Sequence, residues 1–452
     1  MPRLRTRGAG ALTAAVSTLT SAAVIAVALP GPANAASETV TVNLSTTLGT
    51  PQYRASGTLH GMTENATNPP DQYYRNIKFQ FERAGGAHLG NPGGWIFGTY
   101  ARRWNSTLAQ AKRTAALGGT FIILPHDLWG AGSGSSAPLP GDNGNWTDFD
   151  NFLSTLISDV KANGLNVEWD LWNEPDLTGF WARSQSQYLA MWSRAYKAVR
   201  AAIPNAVIVG PSTAFKPSTG SAWWTAFLNF TKANSVLPNI YSWHDEPGDP
   251  VPETHNADTL LAAHGISRTR PYQINEYATF GQQHAGPGAW YIGRLERAGA
   301  DGLRGNWASG MGEEDYEANL LVKNGAGQYQ PRGEWWMYDF YGSMTGNLVS
   351  TTPSTDLEAV ASKNTGIVKV LLGNHGTTGT MTVNINRLDT VSGLISGGHV
   401  RVILQRVPDN NGGAVTGPVT VSDTTVTVNN NAIAVSVPWT NAKDGYTITI
   451  EP

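Results

Sequence analysis

Residues 168–176 read E-W-D-L-W-N-E-P-D. The first part has the character of a buried strand, rich in Trp and Leu. The last four residues, Asn173-Glu174-Pro175-Asp176, break it. Proline has no N–H to give to a ladder, so the strand ends there. A carboxylate, Glu174, is left at the tip of the strand.

Outward from this stretch, short apolar runs recur at 57–61, 81–87, 120–124, 166–172, 206–210, 240–244, 272–276 and 302–307. Segments with helical spacing lie between them. Phe149, Phe152, Leu153, Leu156, Ile157 and Val160 form the stripe of an amphipathic helix between the third and fourth runs. Leu189, Trp192, Tyr196 and Val199 form another after the fourth. Eight strand–helix units predict an α/β fold of the (β/α)8 TIM-barrel type. An open doubly wound sheet would show a glycine-rich turn after its first strand. Here that turn is Leu59-His60-Gly61-Met62-Thr63-Glu64, with no G-x-G-x-x-G.

Beyond Gly346 the helical stripes stop. Alternating runs at 366–372, 380–385, 399–406, 424–428, 432–437 and 446–450 predict a C-terminal antiparallel β-sandwich. Residues 38–44 also alternate and precede the barrel. The expected layout is a leader at 1–35, an N-terminal strand at 36–48 that pairs with the sandwich, a barrel at 49–346 and the sandwich at 347–452. The loop at 130–145, rich in Gly and Ser, sits on the face where barrel active sites form.

Arg3, Arg5 and Arg7, the apolar run densest from Ala22 to Leu29, and Ala33-Asn34-Ala35 fit a secretory signal peptide. Its apolar core is far shorter than the ~20 residues of a membrane span. Cleavage after Ala35 would leave 452 − 35 = 417 residues. The expectation is a secreted, extracellular protein with no membrane partner. The chain has no cysteine, which excludes disulfides, thiol catalysis and thiolate metal sites. A net charge of −3 offers no basic field for nucleic acid. Sixteen tryptophans with only 14% charged residues suit a protein that stacks sugars on aromatic faces.

Barrel chemistry gathers at the carboxyl ends of the strands. Those ends offer His60, then Glu82 and Arg83, then His126, Asp127 and Trp129, then Asn173 and Glu174, then Ser212. His244, Asp245 and Glu246, then Asn275, Glu276 and Tyr277, and lastly Asn306 and Trp307 complete them. An Asn–Glu pair stands at both the fourth and the seventh. Two carboxylates facing each other across a barrel mouth are what glycosidic cleavage requires: one protonates the leaving oxygen, the other attacks or activates water. A carboxyl separation of roughly 5–5.5 Å gives retention of configuration and roughly 6.5–9.5 Å gives inversion.

These strand ends resemble clan A of the glycoside hydrolases, which are retaining enzymes. W-N-E-P-D, the Ser242-Trp243-His244 segment and the trailing sandwich are most similar to family 39, the xylosidase and iduronidase group. The resemblance implies Glu174 as acid/base and Glu276 as nucleophile, with no cofactor. It implies that Asn173 binds the sugar 2-hydroxyl, Arg83 steadies the nucleophile, Trp307 floors the reacting sugar and His244 is the strand-six histidine. His126, Trp129, Glu246 and Tyr277 complete the expected carbohydrate-binding set. The clan usually has His-x-Tyr after strand six; here His244-Asp245-Glu246 departs from it, so Tyr277 or another Tyr takes that place, or Glu246 has its own task. Taken alone, Arg83 is also explained by pairing with a barrel carboxylate such as Glu82.

Two other classes are compatible with the sequence. One is a catalytically inactive carbohydrate-binding protein on the same fold. The other is a metal-dependent hydrolase using His60, His88, His126 and His244, although neither His-x-His on strand one nor H-E-x-x-H occurs.

Overall fold

The structure is a computed structural model that describes residues 38–90, 92–131, 136–305 and 314–452. The expected leader and Trp307 lie outside the described residues. Eight parallel strands close into a barrel: Gly57–Leu59, Phe81–Ala84, Thr120–Ile123, Val167–Asp170, Val207–Thr213, Ile240–Asp245, Gln273–Tyr277 and Asp301–Arg304. In this order they are barrel strands one to eight. Gly57 faces Leu303 where the ring closes. Among the described residues no helix is long and apolar enough to cross a membrane.

The helix Thr147–Ala162 buries the stripe of six residues that the spacing predicts. Asp148 and Asp150 lie in its first turn and Lys161 in its last, each favourable to the helix dipole. Helix Gln185–Ala202 starts on Ser184, whose hydroxyl accepts from the Gln187 amide at 3.2 Å.

Strand four is less hydrophobic in use than its letters suggest. Val167 and Trp169 pack in the layer between barrel and helices. Glu168 and Asp170 therefore face the interior, because successive side chains on a strand alternate. Glu168 accepts from Gln273 across the barrel at 3.0 Å. Ile122, Val209, Ile240 and Leu303, with Phe81 and Val207, form a small apolar plug of their own. The upper interior, where the chemistry sits, is polar.

Glu82 is turned away from that interior, opposite to Arg83. It is fully buried, accepts from the Gly61 amide at 2.8 Å and from the Thr58 hydroxyl, and is pushed up to about 8, chiefly by burial. The sign of its effect is fixed by linkage. The unfolded carboxyl ionises near 4.5, while the folded one keeps its proton, so the native state binds more protons and stability falls as pH rises from 4.5 to 8. Glu82→Gln can still accept from the Gly61 amide through its oxygen and can donate to the Thr58 hydroxyl oxygen through its NH2, without ionising. It is expected to leave stability near pH 4.5 little changed and to raise it by about 2–4 kcal/mol at pH 8. Thermal unfolding of both proteins at the two pH values checks this.

The second sheet has nine strands. In spatial order they are Val419–Thr427, His399–Val407, Gly445–Glu451, Ile367–Asn374, Leu357–Asn364, Asn347–Thr352, Thr39–Gly49, Gly379–Asn386 and Ala432–Trp439. All pairs are antiparallel except Thr39–Gly49 with Gly379–Asn386. Val402 and Val437, from opposite ends of that order, share one core, so the sheet folds over itself as a sandwich. Asn347–Thr352 and Leu357–Asn364 are strands that the alternation did not reveal. Leu357–Asn364 is buried along most of its length, which hides the period of two.

This sheet buttresses the barrel. Helix Ala285–Ala298, which follows strand seven, lies against it. A Cβ on Gly373 would fall 2.0 Å from the Trp290 amide nitrogen, so only glycine permits this approach. Arg294 and Arg297 of the helix both donate to the fully buried Glu358 of the sheet.

Candidate active site

Arg83, on strand two, organises the site. Its guanidinium is wholly buried. Nε donates to Asp170 Oδ2 at 2.8 Å, Nη1 to Glu276 Oε1 at 2.9 Å and Nη2 to Asn173 Oδ1 at 2.7 Å. Its partner is thus Asp170 from across the interior, and not its neighbour Glu82. Because Arg83 holds the Asn173 oxygen, the NH2 end of that amide is left for a ligand. Asp170 also accepts from Ser212 Oγ at 2.8 Å and Asn275 Nδ2 at 2.9 Å. Burial opposes the Arg83 charge, but Asp170 and Glu276 outweigh it and hold the group above its ordinary value.

Glu276 reaches the interior through an irregularity. Trp243 pairs with Ile274, but His244 pairs with Glu276, so Asn275 is one residue too many on strand seven. This bulge lets Asn275 and Glu276 both face inward and turns Tyr277 outward. Tyr277 is accordingly not a substrate residue. It is fully buried, donates to the Ala55 carbonyl at 2.9 Å and meets the Tyr338 hydroxyl. Trp129 is the second correction. It closes a short helix, Pro125–Trp129, and packs edge-on against Phe149 and Phe152 of the next helix, with Nε1 on the Pro138 carbonyl at 3.0 Å.

Glu174 leaves strand four with φ 43°, a left-handed conformation that costs a non-glycine residue about 1 kcal/mol. Its N–H donates to the Ser212 carbonyl at 2.9 Å, and Asp176 accepts from the Ala214 and Phe215 amides, both at 2.9 Å. The strain is held by strand five. Glu174 and Glu276 then meet over one nitrogen: His244 Nδ1 lies 3.0 Å from Glu174 Oε1 and 3.1 Å from Glu276 Oε2. These three donor atoms all lie within 4.8 Å of one another.

Burial raises the Glu276 carboxyl well above its ordinary range; Arg83 opposes this, and the charges of Glu174 and Glu246 add to it. Burial also raises Glu174, but the His244 hydrogen bond and the His244 and Arg83 charges outweigh it and bring Glu174 below its ordinary range. Burial lowers His244. Glu246, half-buried after strand six, is therefore a third carboxylate felt by Glu276.

His126 is buried near this group, with Nδ1 at 2.9 Å from Asp127 Oδ1 and its ring edge-on to Trp172. His60 Nε2 lies 3.7 Å from Asp127 Oδ2. Burial would raise Asp127, but the His126 hydrogen bond and the His126, His60 and Arg103 charges bring it to about 2. His60 Nδ1, His126 Nε2, Asp127 Oδ2 and His244 Nε2 are buried and have no hydrogen-bond partner among the described residues. Such atoms await a ligand rich in hydroxyls. Ser212 and Asn275, named at their strand ends without a role, are supporting residues here, and Asp170 is the one that motif reading passed over. An acid at an inward strand position, two residues beyond Glu168, was the available signal, since it demands an interior cation.

A barrel with paired glutamates at the ends of strands four and seven, an arginine on strand two and a histidine on strand six is the architecture of clan A of the glycoside hydrolases. Within that clan the chain is related to family 39: the profile of "Glycosyl hydrolases family 39" matches residues 144–257. A 3-O-alpha-D-galactosyl-alpha-L-arabinofuranosidase of Bifidobacterium longum subsp. longum is 24% identical over 372 residues, 69% of this chain. The chain spans only 30% of that relative's length. N2152 from Neocallimastix frontalis superposes with TM-score 0.74 at 26% identity over 92% of this chain and 100% of that one. A monomeric beta-xylosidase from Caulobacter crescentus CB15 shares the fold with TM-score 0.61 at 14% identity, over 92% of this chain and 100% of its own.

Proposed function

We propose that the protein is a secreted retaining glycosidase. It cleaves O-glycosidic bonds of a cell-wall-type polysaccharide or oligosaccharide by double displacement. The observation that carries this is the meeting of Glu174 and Glu276 over His244, with an oxygen of each inside 4.8 Å. Two carboxyl groups brought this close suit direct attack by one of them on the anomeric carbon. The leader read in the sequence supports secretion.

In the first step a Glu276 oxygen bonds to the anomeric carbon as the bond to the leaving oxygen breaks, and the Glu174 proton passes to that oxygen. In the second, Glu174 takes a proton from water, the hydroxide oxygen bonds to the anomeric carbon, and Glu276 departs as carboxylate. Asn173, with its NH2 end free, donates to the 2-hydroxyl, and His126 and Glu246 bind other hydroxyls.

The proton must stand on Glu174 when the reaction starts. In the empty site the His244 bond favours the charged form of Glu174. A leaving oxygen seated against Glu174 displaces that 3.0 Å contact and removes what held its carboxyl low. Arg83 contacts Glu276 and not Glu174, so the charge then settles on the nucleophile. Substrate binding thereby puts the proton where the first step needs it.

The test is incubation of the mature protein with plant and microbial cell-wall polysaccharides and aryl glycosides, with products read by mass. Sugar released by the wild type and not by Glu276→Ala is the expected result. No product from any substrate, with measurable affinity for one, would overturn catalysis in favour of a binding protein. The Glu174 and Glu276 oxygens together with the His244 nitrogen would also suit a divalent cation. Activity lost on chelation and restored by metal would replace double displacement with metal-assisted hydrolysis.

A further inference from the structure

We infer that the sugar ring attacked by Glu276 is electrically neutral and that uronosyl rings are rejected by charge. This rests on the glycosidase reading above and narrows its substrate class. The balance of charge at the barrel mouth carries it.

A ring whose anomeric carbon is in reach of Glu276 carries its C5 substituent close by, because both carbons bond the ring oxygen. With the nucleophile about 3–3.5 Å from that carbon, a C5 carboxylate stands roughly 5–6 Å from the attacking group. It is ionised above about pH 4. Around it lie Glu276, which keeps the charge of the pair once substrate is bound, and Glu246, and beyond them Asp127, held ionised at about 2. An anion brought into such a site needs a cation to receive it.

Among the described residues the mouth has none to spare. Each of the three Arg83 nitrogens is engaged, with Asp170, Glu276 and Asn173. Arg103 donates to the Asp127 and Gly90 carbonyls. Arg304 forks onto Glu334. In the loops that run from the strand ends to the next helices, the sequence offers Arg183, Lys216, Lys323 and Arg332. Arg183 pairs with Asp142 at 2.7 Å, and Lys216 lies between Asp245 at 3.1 Å and Glu253 at 2.8 Å. Lys323 pairs with Asp315, and Arg332, bridged through its backbone to Ala414 and set beside Glu334 and Asp409, donates through Nε to the Leu321 carbonyl at 2.9 Å. Residues 132–135 and 306–313 of those loops contain no Lys or Arg at all, so their placement does not alter the balance. Burial disfavours the charged forms of His60 and His244, and His126 already faces Asp127. The buried atoms His60 Nδ1, His126 Nε2 and Asp127 Oδ2, without partners among the described residues, are hydrogen-bonding groups for a neutral ligand and not cations.

The test uses matched 4-nitrophenyl glycosides at pH 6. One series is the β-D-xyloside, β-D-glucoside, β-D-glucuronide and glucuronide methyl ester. The other is the α-L-arabinopyranoside, β-D-galactoside, β-D-galacturonide and its methyl ester. Turnover is accepted only where Glu276→Ala abolishes it, and binding of the free sugars and uronates is followed by calorimetry. In the series the site accepts, kcat/KM for the best neutral member should exceed that for the uronide by about 100-fold. The methyl ester, uncharged though larger by one methyl group, should recover at least about tenfold of that loss. A uronide within tenfold of its neutral counterpart overturns the inference and leaves the glycosidase reading intact. An ester no better than its acid also overturns it, because size would then be the cause. A panel with neither turnover nor binding overturns the glycosidase reading, and the inference falls with it.

Discussion

Glu276→Ala is expected to lower kcat/KM by about 10⁴-fold or more toward every substrate the protein cleaves, since a whole covalent step is removed. The fold should survive. Arg83 keeps its 2.8 Å bond to Asp170 and its 2.7 Å bond to Asn173 when Glu276 is gone, so no buried cation is orphaned. Thermal unfolding within a few degrees of the wild type would show that the loss is chemical. The space left by the carboxylate admits a small anion. Azide added to the variant should attack the anomeric carbon from the face that Glu276 occupied, opposite the leaving group. The glycosyl azide formed should therefore have inverted configuration, read by NMR. A variant retaining more than about 1% of wild-type activity would remove Glu276 from its role. Azide product of retained configuration would do the same.

How much of this site was open to sequence reading depends on the kind of feature involved. The two Asn–Glu pairs were legible because the residues beyond a strand mark its end, proline after Glu174 and the close of the apolar run at Glu276. His244 and Arg83 were legible as strand-end positions. The partner of Arg83 was not. Glu82 is its neighbour in sequence, but adjacent residues on a strand point to opposite faces, and the true partner, Asp170, is 87 residues away. Alternation itself would have found Asp170, because Glu168 and Asp170 share a face in a strand whose Val167 and Trp169 share the other.

Tyr277 shows a harder limit. Counting by twos from Gln273 puts Asn275 and Tyr277 inward and Glu276 outward. The bulge at Asn275 reverses the count, and nothing in Q-I-N-E-Y announces it. Trp129 failed for another reason. Nothing in the sequence marks the run His126-Asp127-Leu128-Trp129 as a short helix, because it is too short for a helical period to be read. In the second sheet, Leu357–Asn364 escaped notice because a strand buried on both faces has no alternation.

Glu174→Gln is expected to separate the two half-reactions. Glutamine is isosteric and can still meet His244 Nδ1 through its carbonyl, so the loop with φ 43° has no new reason to move. What it lacks is a proton to give and a base to take one. For leaving groups that depart as alkoxides, such as a second sugar, the first step then needs an unprotonated leaving oxygen. A loss of about 10³–10⁴-fold in kcat/KM is expected, toward the upper end of what general acid catalysis contributes. A 2,4-dinitrophenyl glycoside needs no such proton, and its kcat/KM should fall by less than about tenfold. Its kcat should still collapse, because water must attack the glycosyl-enzyme without a base. The intermediate should accumulate and be visible as one added glycosyl mass on the protein. Azide, which needs no deprotonation, should restore turnover and give the azide of retained configuration, the opposite of the Glu276→Ala product. The alkaline limb of the kcat/KM profile toward a substrate with an alkoxide leaving group should also flatten. In the wild type that limb marks loss of the proton shared by the pair as pH rises, and the variant has no such proton on Glu174 to lose. Equal losses across all leaving groups would mean that Glu174 positions the substrate and donates nothing.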